Sequence, residues 1–427
     1  MNIVMMSNTF TPHVGGVARS VEAFVGEYRR RGHRVLVIAP EFENMPADEI
    51  DVVRLPAIQH FNGSDFSVVL PLPGAANDAI EAFQPDIVHS HHPFLVGATA
   101  LRVARQYELP LVFTHHTMYE QYTHYVPGDS DALKRFVINL SISYANLCDQ
   151  VFAPSESVAH VLRERGVTSP ILVVATGVDR ERFARGDGAA FRATHGLPRE
   201  ALVIGHVGRL APEKNLGLLA EAVARFLRRR PDARFLCVGR GPSVDTIREI
   251  FRNHGVSNRL MTVGVLEGQA LADAYRAMDI FAFTSKSETQ GMVLTEAMAA
   301  GVPVVALDAP GAREVVRDRV NGRLLRQTDP DSFAAALTSI ADLPKPRREE
   351  MRAALAETAI AFSMPRCADR ALACYDALLA TRYVDRDEEY TAWSGLLRRI
   401  RAEWELLRTV AEAAGAASGV QEPEGKA

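Results

Sequence analysis

Glu288 and Glu296 fall in the stretch SETQGMVLTEAMAAGVPVVAL with seven residues between them. The first sits in a polar loop just before Gly291, and the second among apolar residues that predict a helix. Eight residues of helix span about 12 Å, too far for two carboxylates to share a proton. The spacing suits two carboxylates that reach different hydroxyl groups of one extended ligand. Between them, the N–H groups of Gly291, Met292 and Val293 open the helix and would face an anion. A carboxylate in an apolar helix also needs a partner, because an unpaired buried charge is costly. Pairing with a structural cation is the alternative use of Glu296.

Other stretches carry chemistry of a matching kind. In GHVGRLAPEKNL, Arg209 and Lys214 follow a strand pattern with four residues between them. Two cations at a strand exit suit a diphosphate; two solvated loop cations are the plain alternative. In TPHVGGVARS, Gly15 and Gly16 precede a helix, either as a ligand-approach loop or as a simple turn. The motif is not G-x-G-x-x-G, so it does not specify a dinucleotide. RFLCVGRGPS and MTVGVLEG each run from strand into a glycine loop, at Gly239, Gly241 and Gly264. Such loops hold a base or ribose through backbone contacts, or are ordinary turns. Ten of the thirteen histidines precede residue 161. His89, His91, His92, His115, His116 and His124 follow two neighbouring strand patterns. No C-x-x-C or H-E-x-x-H accompanies them, so no metal site is expected. A hydrogen-bonding or acid–base role at a strand end fits better, with some of the six simply packing.

The elements that would position these groups alternate. Buried strands are predicted at Asn2–Ser7, Arg34–Ala39, Asp86–Ser90, Leu111–Thr114, Gln150–Ala153 and Ile171–Ala175, with a helix over 17–31. The rhythm restarts after a polar stretch at 180–200 that reads as a linker. Strands follow at Leu202–Val207, Arg234–Val238, Leu260–Val263, Ile280–Thr284 and Val304–Leu307. Two βαβ series predict an α/β protein with two doubly wound domains, over 1–180 and 200–345, and ligands at the carboxyl ends of the strands in a cleft between them. Helices are expected over 346–410, partly packing back on the first domain, and a disordered tail over 411–427. Trp393, Leu396, Leu397, Ile400, Trp404, Leu407 and Val410 share one helical face flanked by arginines. The net charge of −4 gives no reason for a nucleic-acid partner. No apolar run reaches the ~20 residues of a membrane span, and MNIVMMSNTF reads as a first strand, not a signal peptide. Four scattered cysteines fit reduced thiols in the cytoplasm.

Taken together, GGV near the start, a histidine in THHT, G-R-x-x-x-x-K and E-x7-E followed by AMAAGVPVVA resemble, in order over most of 1–380, a retaining glycosyltransferase of glycosyltransferase family 4. The resemblance implies a GT-B fold, with two Rossmann-like domains facing across a cleft, and a nucleotide sugar as substrate; no cofactor and no metal are implied. D-x-D pairs at Asp129/Asp131, Asp329/Asp331 and Asp385/Asp387 follow no strand of the second sheet, which disfavours a metal-dependent alternative. The resemblance gives catalytic roles to His116, Arg209, Lys214 and Glu288. Donor contacts are expected at Gly15, Gly16, Arg209, Lys214, Gly239, Val265, Glu288, Gly291, Met292, Val293 and Glu296, and acceptor contacts at His13, His91, Tyr119 and Tyr122. Glu288 would bind the hexose, Glu296 the ribose, and the two cations the diphosphate. THHTMYEQYTHYVP is similar to a segment of diacylglycerol glucosyltransferases, with His115 where those enzymes carry tyrosine. This implies UDP-glucose as donor, a lipid acceptor, and peripheral contact at the inner face of the membrane through the Trp393–Val410 helix. Another family 4 acceptor (phosphatidylinositol, a lipid-linked sugar or a soluble glycan) is the alternative, followed by a GT-B sugar-nucleotide epimerase.

Overall fold

Strands that are apolar on both faces must be covered on both faces, and a parallel sheet wound with helices meets that demand. The computed structural model describes residues 1–13, 15–58, 68–69, 76–121, 130–382 and 392–418. The chain forms two compact units, Met1–Thr176 with Cys367–Ala427, and Gly177–Arg366.

The first unit contains β1 (Asn2–Met6), α1 (Gly16–Arg30), β2 (Arg34–Pro40), β3 (Val52–Leu55), β4 (Ala57–Ile58), β5 (Val68–Val69), α2 (Asn77–Phe83), β6 (Ile87–Ser90), α3 (Val96–Gln106), β7 (Leu111–Thr114), α4 (Asp131–Asn146), β8 (Gln150–Ala153), α5 (Glu156–Glu164) and β9 (Ile171–Val173). Seven strands form a sheet in the order β3-β2-β1-β6-β7-β8-β9, every neighbouring pair parallel. Sequence order reverses between β1 and β6. Val4, Met6, Val88, Leu111 and Phe113 lie at its core with no exposed surface.

The second unit holds α6 (Arg180–Ala184), α7 (Gly188–Thr194), β10 (Leu202–Val207), α8 (Leu216–Arg229), β11 (Ala233–Val238), α9 (Val244–Asn253), β12 (Leu260–Thr262), α10 (Gly268–Arg276), β13 (Ile280–Phe283), α11 (Met292–Ala299), β14 (Val304–Leu307), β15 (Gly322–Leu325), α12 (Pro330–Ala341) and α13 (Lys345–Ala361). Its six strands run β12-β11-β10-β13-β14-β15, all parallel. Here the reversal falls between β10 and β13. The chain then passes through α14 (Met364–Arg382) to α15 (Ala392–Ser418). α15 lies on α3 and α4 of the first unit: Arg102 pairs with Glu403, Arg105 with Glu405 and Arg398 with Glu108, and Ala402 and Ala413 are buried.

The structure corrects several boundaries. The stretch 180–200 is not a linker: Asp179 and Asp187 cap α6 and α7 with their side chains, and Phe183 and Phe191 are buried in the second core. The polar composition belongs to the outer faces of two one-sided helices. The second unit extends through Arg366, so α13 belongs to it and not to a separate helical region. α15 continues to Ser418, past the expected end of order at 410, because Ala413 is buried and Arg135 donates to the Ala417 carbonyl. β3 and β15 were not anticipated. Both are four-residue edge strands with partly exposed side chains, so neither carries a two-faced apolar pattern. β15 places the Asp329/Asp331 pair after a strand of the second sheet, contrary to expectation, with Asp329 capping α12.

Phe183→Ala should destabilise the second unit by about 3–5 kcal/mol, the usual cost of emptying an aromatic core site, read as an earlier denaturant transition. Phe183 is 5% exposed and meets the Tyr275 ring edge-on at 5.4 Å. An unchanged transition would restore the linker reading of 180–200.

Candidate active site

In each sheet the point where strand order reverses leaves a crevice beyond the strand ends, and ligands of doubly wound folds bind there. The candidate residues gather at these two points.

In the second unit, the exits of β10, β11 and β12 are joined edge to edge. Gly208 N–H donates to the Val238 carbonyl at 3.0 Å, Gly239 N–H to Gly264 at 2.7 Å, and Leu210 N–H to Arg240 at 2.8 Å. Gly239 has φ of +137°, and a Cβ there would stand 1.9 Å from the Gly208 carbonyl oxygen. Glycine is therefore required by close approach. The Gly239 N–H is already engaged, so this residue offers a ligand bare surface and no donor. Val265 stands beyond these exits, 44% exposed.

Arg209 precedes and Lys214 ends a 3₁₀ turn over Pro212–Lys214. The Thr284 hydroxyl, after β13, donates to the carbonyls of Lys214 and Asn215, which pins the turn to the next strand exit. Lys214 Nζ lies 2.6 Å from Glu288 Oε1, and Arg209 Nη2 2.8 Å from Glu213 Oε1. Burial pushes the Glu288 carboxyl up, but the Lys214 ammonium overcomes it, helped by the Ser285 hydroxyl and His206. The result is a carboxyl below its usual range, ionised at neutral pH. Each cation thus already has a carboxylate beside it. A diphosphate would compete with Glu288 for the lysine.

Gly291 caps α11 in the left-handed conformation, φ +69°, ψ +51°, and no side chain caps the helix start. The peptide groups of Met292 and Val293 therefore open α11, near Glu288. Glu296 lies one turn into the helix, 7% exposed. The Tyr275 hydroxyl donates to its Oε2 at 2.7 Å.

Three residues here escaped the sequence reading. Glu213 stands four residues after Arg209, a spacing that favours an ion pair and was available as a signal. Gly311, in a Pro-Gly turn with φ of +81°, lets the turn after β14 press on the Glu288 loop; a Cβ there would be 2.8 Å from Glu288 Cβ. His206 gives no signal, being one polar residue inside β10. It is buried, its Nδ1–H donates to the Ala282 carbonyl at 3.0 Å, and burial takes its pKa down to about 4.

In the first unit, Gly15 is the N-cap of α1 in extended backbone, with no side-chain cap. A Cβ at Gly15 would lie 3.0 Å from His13 Nε2, and one at Gly16 would meet nothing within 4 Å. The His13 ring stacks on Phe42. Across the β1/β6 reversal lie the histidines. His89, His91, His92 and His115 are buried. His91 Nδ1 lies 2.8 Å from His116 Nε2. Asn8 N–H donates to His92 Nδ1 at 3.0 Å. Burial takes His89 and His92 down to about 3 and His115 to about 4, and holds His91 and His116 well below the usual range. All five are neutral imidazoles at physiological pH. Tyr119 packs against Phe94 and His115. Tyr122 and His124 lie outside the described residues. Among the described residues, no three His, Cys, Asp or Glu side chains are grouped to hold a metal ion.

Two Rossmann-like, doubly wound units are the architecture of the GT-B glycosyltransferases, whose fold the chain shares. The model of Glycosyltransferase Family 4 matches residues 14–182, and that of Glycosyl transferases group 1 matches 188–361. A GDP-mannose-dependent alpha-mannosyltransferase of Mycolicibacterium smegmatis is 31% identical, over 90% of this chain and 99% of its own. An alpha-monoglucosyldiacylglycerol synthase of Streptococcus pneumoniae is 26% identical, over 76% and 75%. The crystal structure of Anabaena HepE in complex with UDP shares the fold at a TM-score of 0.69, 22% identity, and coverage of 88% of this chain and all of that one. The chain belongs to glycosyltransferase family 4.

Lys214→Ala should weaken binding of a nucleoside diphosphate by about 10- to 100-fold, the loss expected for a charge-assisted contact of 1.5–3 kcal/mol. Isothermal titration with UDP and GDP measures it. Unchanged affinity for both would remove Lys214 from the diphosphate site.

Proposed function

We propose that this enzyme is a retaining hexosyltransferase that moves glucose from UDP-glucose to a lipid hydroxyl such as that of 1,2-diacylglycerol. The observation that carries the reading is the ionised Glu288 held by Lys214 at the second switch point. A carboxylate kept charged there accepts hydrogen bonds from sugar hydroxyls, while the lysine beside it is available to a diphosphate. Arg209 and Lys214 would stabilise the charge that develops on the departing nucleotide. Met292 and Val293 would offer N–H groups to the phosphates, and Glu296 would hold the ribose. Gly16 would leave room for the donor at the first unit's loop, with His116 beside the transferred sugar. The chemistry fits front-side substitution through an oxocarbenium-like state, in which the leaving phosphate helps to deprotonate the acceptor. Glu288, paired with a lysine, is not assigned as a nucleophile.

The lipid acceptor is supported by the likeness to the diacylglycerol synthase and by α15. Ile400, Trp404, Leu407 and Val410 of α15 are 57%, 69%, 64% and 49% exposed. Glu403 and Glu405 are occupied by Arg102 and Arg105, so exposed Arg401 is left at the edge of the apolar stripe. Such a stripe suits a headgroup surface with anionic lipid. No described helix is long and apolar enough to cross a membrane, so contact would be peripheral. The side chains of Trp393, Leu396 and Leu397 lie outside the described residues. A second reading takes GDP-mannose as donor; it is favoured by the mannosyltransferase relative, which this chain matches almost from end to end.

The test is transfer from labelled UDP-glucose and GDP-mannose to diacylglycerol, a monoglycosyl lipid or soluble glycans. Label entering the lipid phase from UDP-glucose supports the first reading, and label from GDP-mannose the second. Transfer to soluble glycans alone overturns the lipid acceptor. Glu288→Ala should cut turnover by about 10²- to 10³-fold, the scale of losing a preorganised electrostatic group, with the unfolding transition retained. Trp404→Ser with Leu407→Ser should reduce co-sedimentation with anionic vesicles; unchanged binding would make the stripe a packing surface.

A further inference from the structure

The buried polar groups around β6 and β7 admit a hydrogen-by-hydrogen account. Tyr28 OH donates to Tyr375 OH at 3.4 Å, and Tyr375 OH lies 2.6 Å from His89 Nδ1. A phenol that accepts from one neighbour directs its own hydrogen to the other, so Tyr375 donates to Nδ1. His89 then carries its proton on Nε2, which faces the Thr114 hydroxyl oxygen at 2.7 Å. Both nitrogens of His89 are engaged, and its ring is fixed by a tyrosine from α14 and a threonine from β7.

His91 rests on this fixed ring, with centroids 4.2 Å apart. Its Nδ1 faces His116 Nε2 at 2.8 Å, so one proton lies between the two nitrogens. If His116 supplied it, the His91 proton would sit on Nε2. That atom is buried with no partner among the described residues, and a buried donor left unpaired loses its bond to water with nothing in exchange. Orphaned donors are also rarer than under-used acceptors. The cheaper arrangement has His91 donating from Nδ1, with Nε2 a bare lone pair and the His116 proton on Nδ1.

We propose that His91 is a positioning residue that fixes the ring and tautomer of His116, and that its bare Nε2 is a subsite for a hydroxyl group of the sugar or the acceptor. A neutral imidazole that donates at one nitrogen and accepts at the other suits a hydroxyl, which can donate into a buried lone pair; a carboxylate or phosphate brings no hydrogen to that atom. The assignment rests on the glycosyl-transfer reading for its ligand, but the tautomer does not.

The experiment uses the full-length protein. Long-range ¹H–¹⁵N correlation reads the histidine tautomers, with the His116 signals identified by their loss in His116→Gln. The expected result is protonated Nδ1 on His116 in the unsubstituted protein and a changed pattern in His91→Phe, which keeps a ring but no nitrogen. In the transfer assay, His91→Phe should lower kcat about 10- to 100-fold, at the lower end of the range for proton-handling groups, with donor KM within about threefold. His91→Asn, which can still donate one hydrogen bond, should recover a large part of that loss. Protonated Nε2 on His116 would overturn the tautomer assignment. Full activity in His91→Phe would overturn the subsite. Equal loss in Phe and Asn variants with a lowered melting temperature would make His91 a packing residue. If no donor is turned over, the glycosyl-transfer reading fails, and the tautomer measurement still decides the first half of the proposal.

Discussion

The reversal of strand order is the constraint on which both groups of candidate residues depend. β10 lies between β11 and β13, and β1 between β2 and β6. The chains leaving β10 and β13 therefore turn to opposite sides and leave a gap, which Lys214 and Glu288 bridge at 2.6 Å. Those two residues are 74 apart in sequence, and only the parallel pairing of Ile204 with Ile280 makes them neighbours. The same geometry in the first unit brings Asn8, after β1, against His92, after β6.

The two switch points differ in electrostatic character. At the second, formal charges are present but paired locally, Lys214 with Glu288 and Arg209 beside Glu213. A polyanion arriving there would have to exchange partners with these carboxylates, and the local pairing holds down the cost of keeping the cations half-buried. At the first, burial suppresses charge on five imidazoles. That side is equipped for hydrogen bonding to neutral groups.

The sequence carried the two βαβ series because their central strands are apolar on both faces, and it carried the spacing of Arg209, Lys214, Glu288 and Glu296. Edge strands β3 and β15 were hidden because an edge strand keeps one side in water. α6 and α7 were hidden because a short helix anchored by one phenylalanine each is mostly polar. Partners were hidden most thoroughly. That Glu296 meets Tyr275, or that His89 is held by Tyr375, depends on contacts 21 and 286 residues apart in sequence, which no local pattern encodes.

The first unit is assembled from two separated pieces of chain, 1–176 and 367–427, while the second is one continuous piece. Tyr375, which reaches Tyr28 and His89, is in the later piece, as is α15. On a ribosome that emits the chain from its N-terminus, the second unit can complete its core before the first can. The nascent first unit must wait nearly two hundred residues with the Tyr375 position in its core unfilled and the faces of α3 and α4 uncovered. Truncation from the C-terminus would therefore damage the N-terminal half of the enzyme first, and chaperone dependence during synthesis should concentrate on the part of the protein that is made earliest.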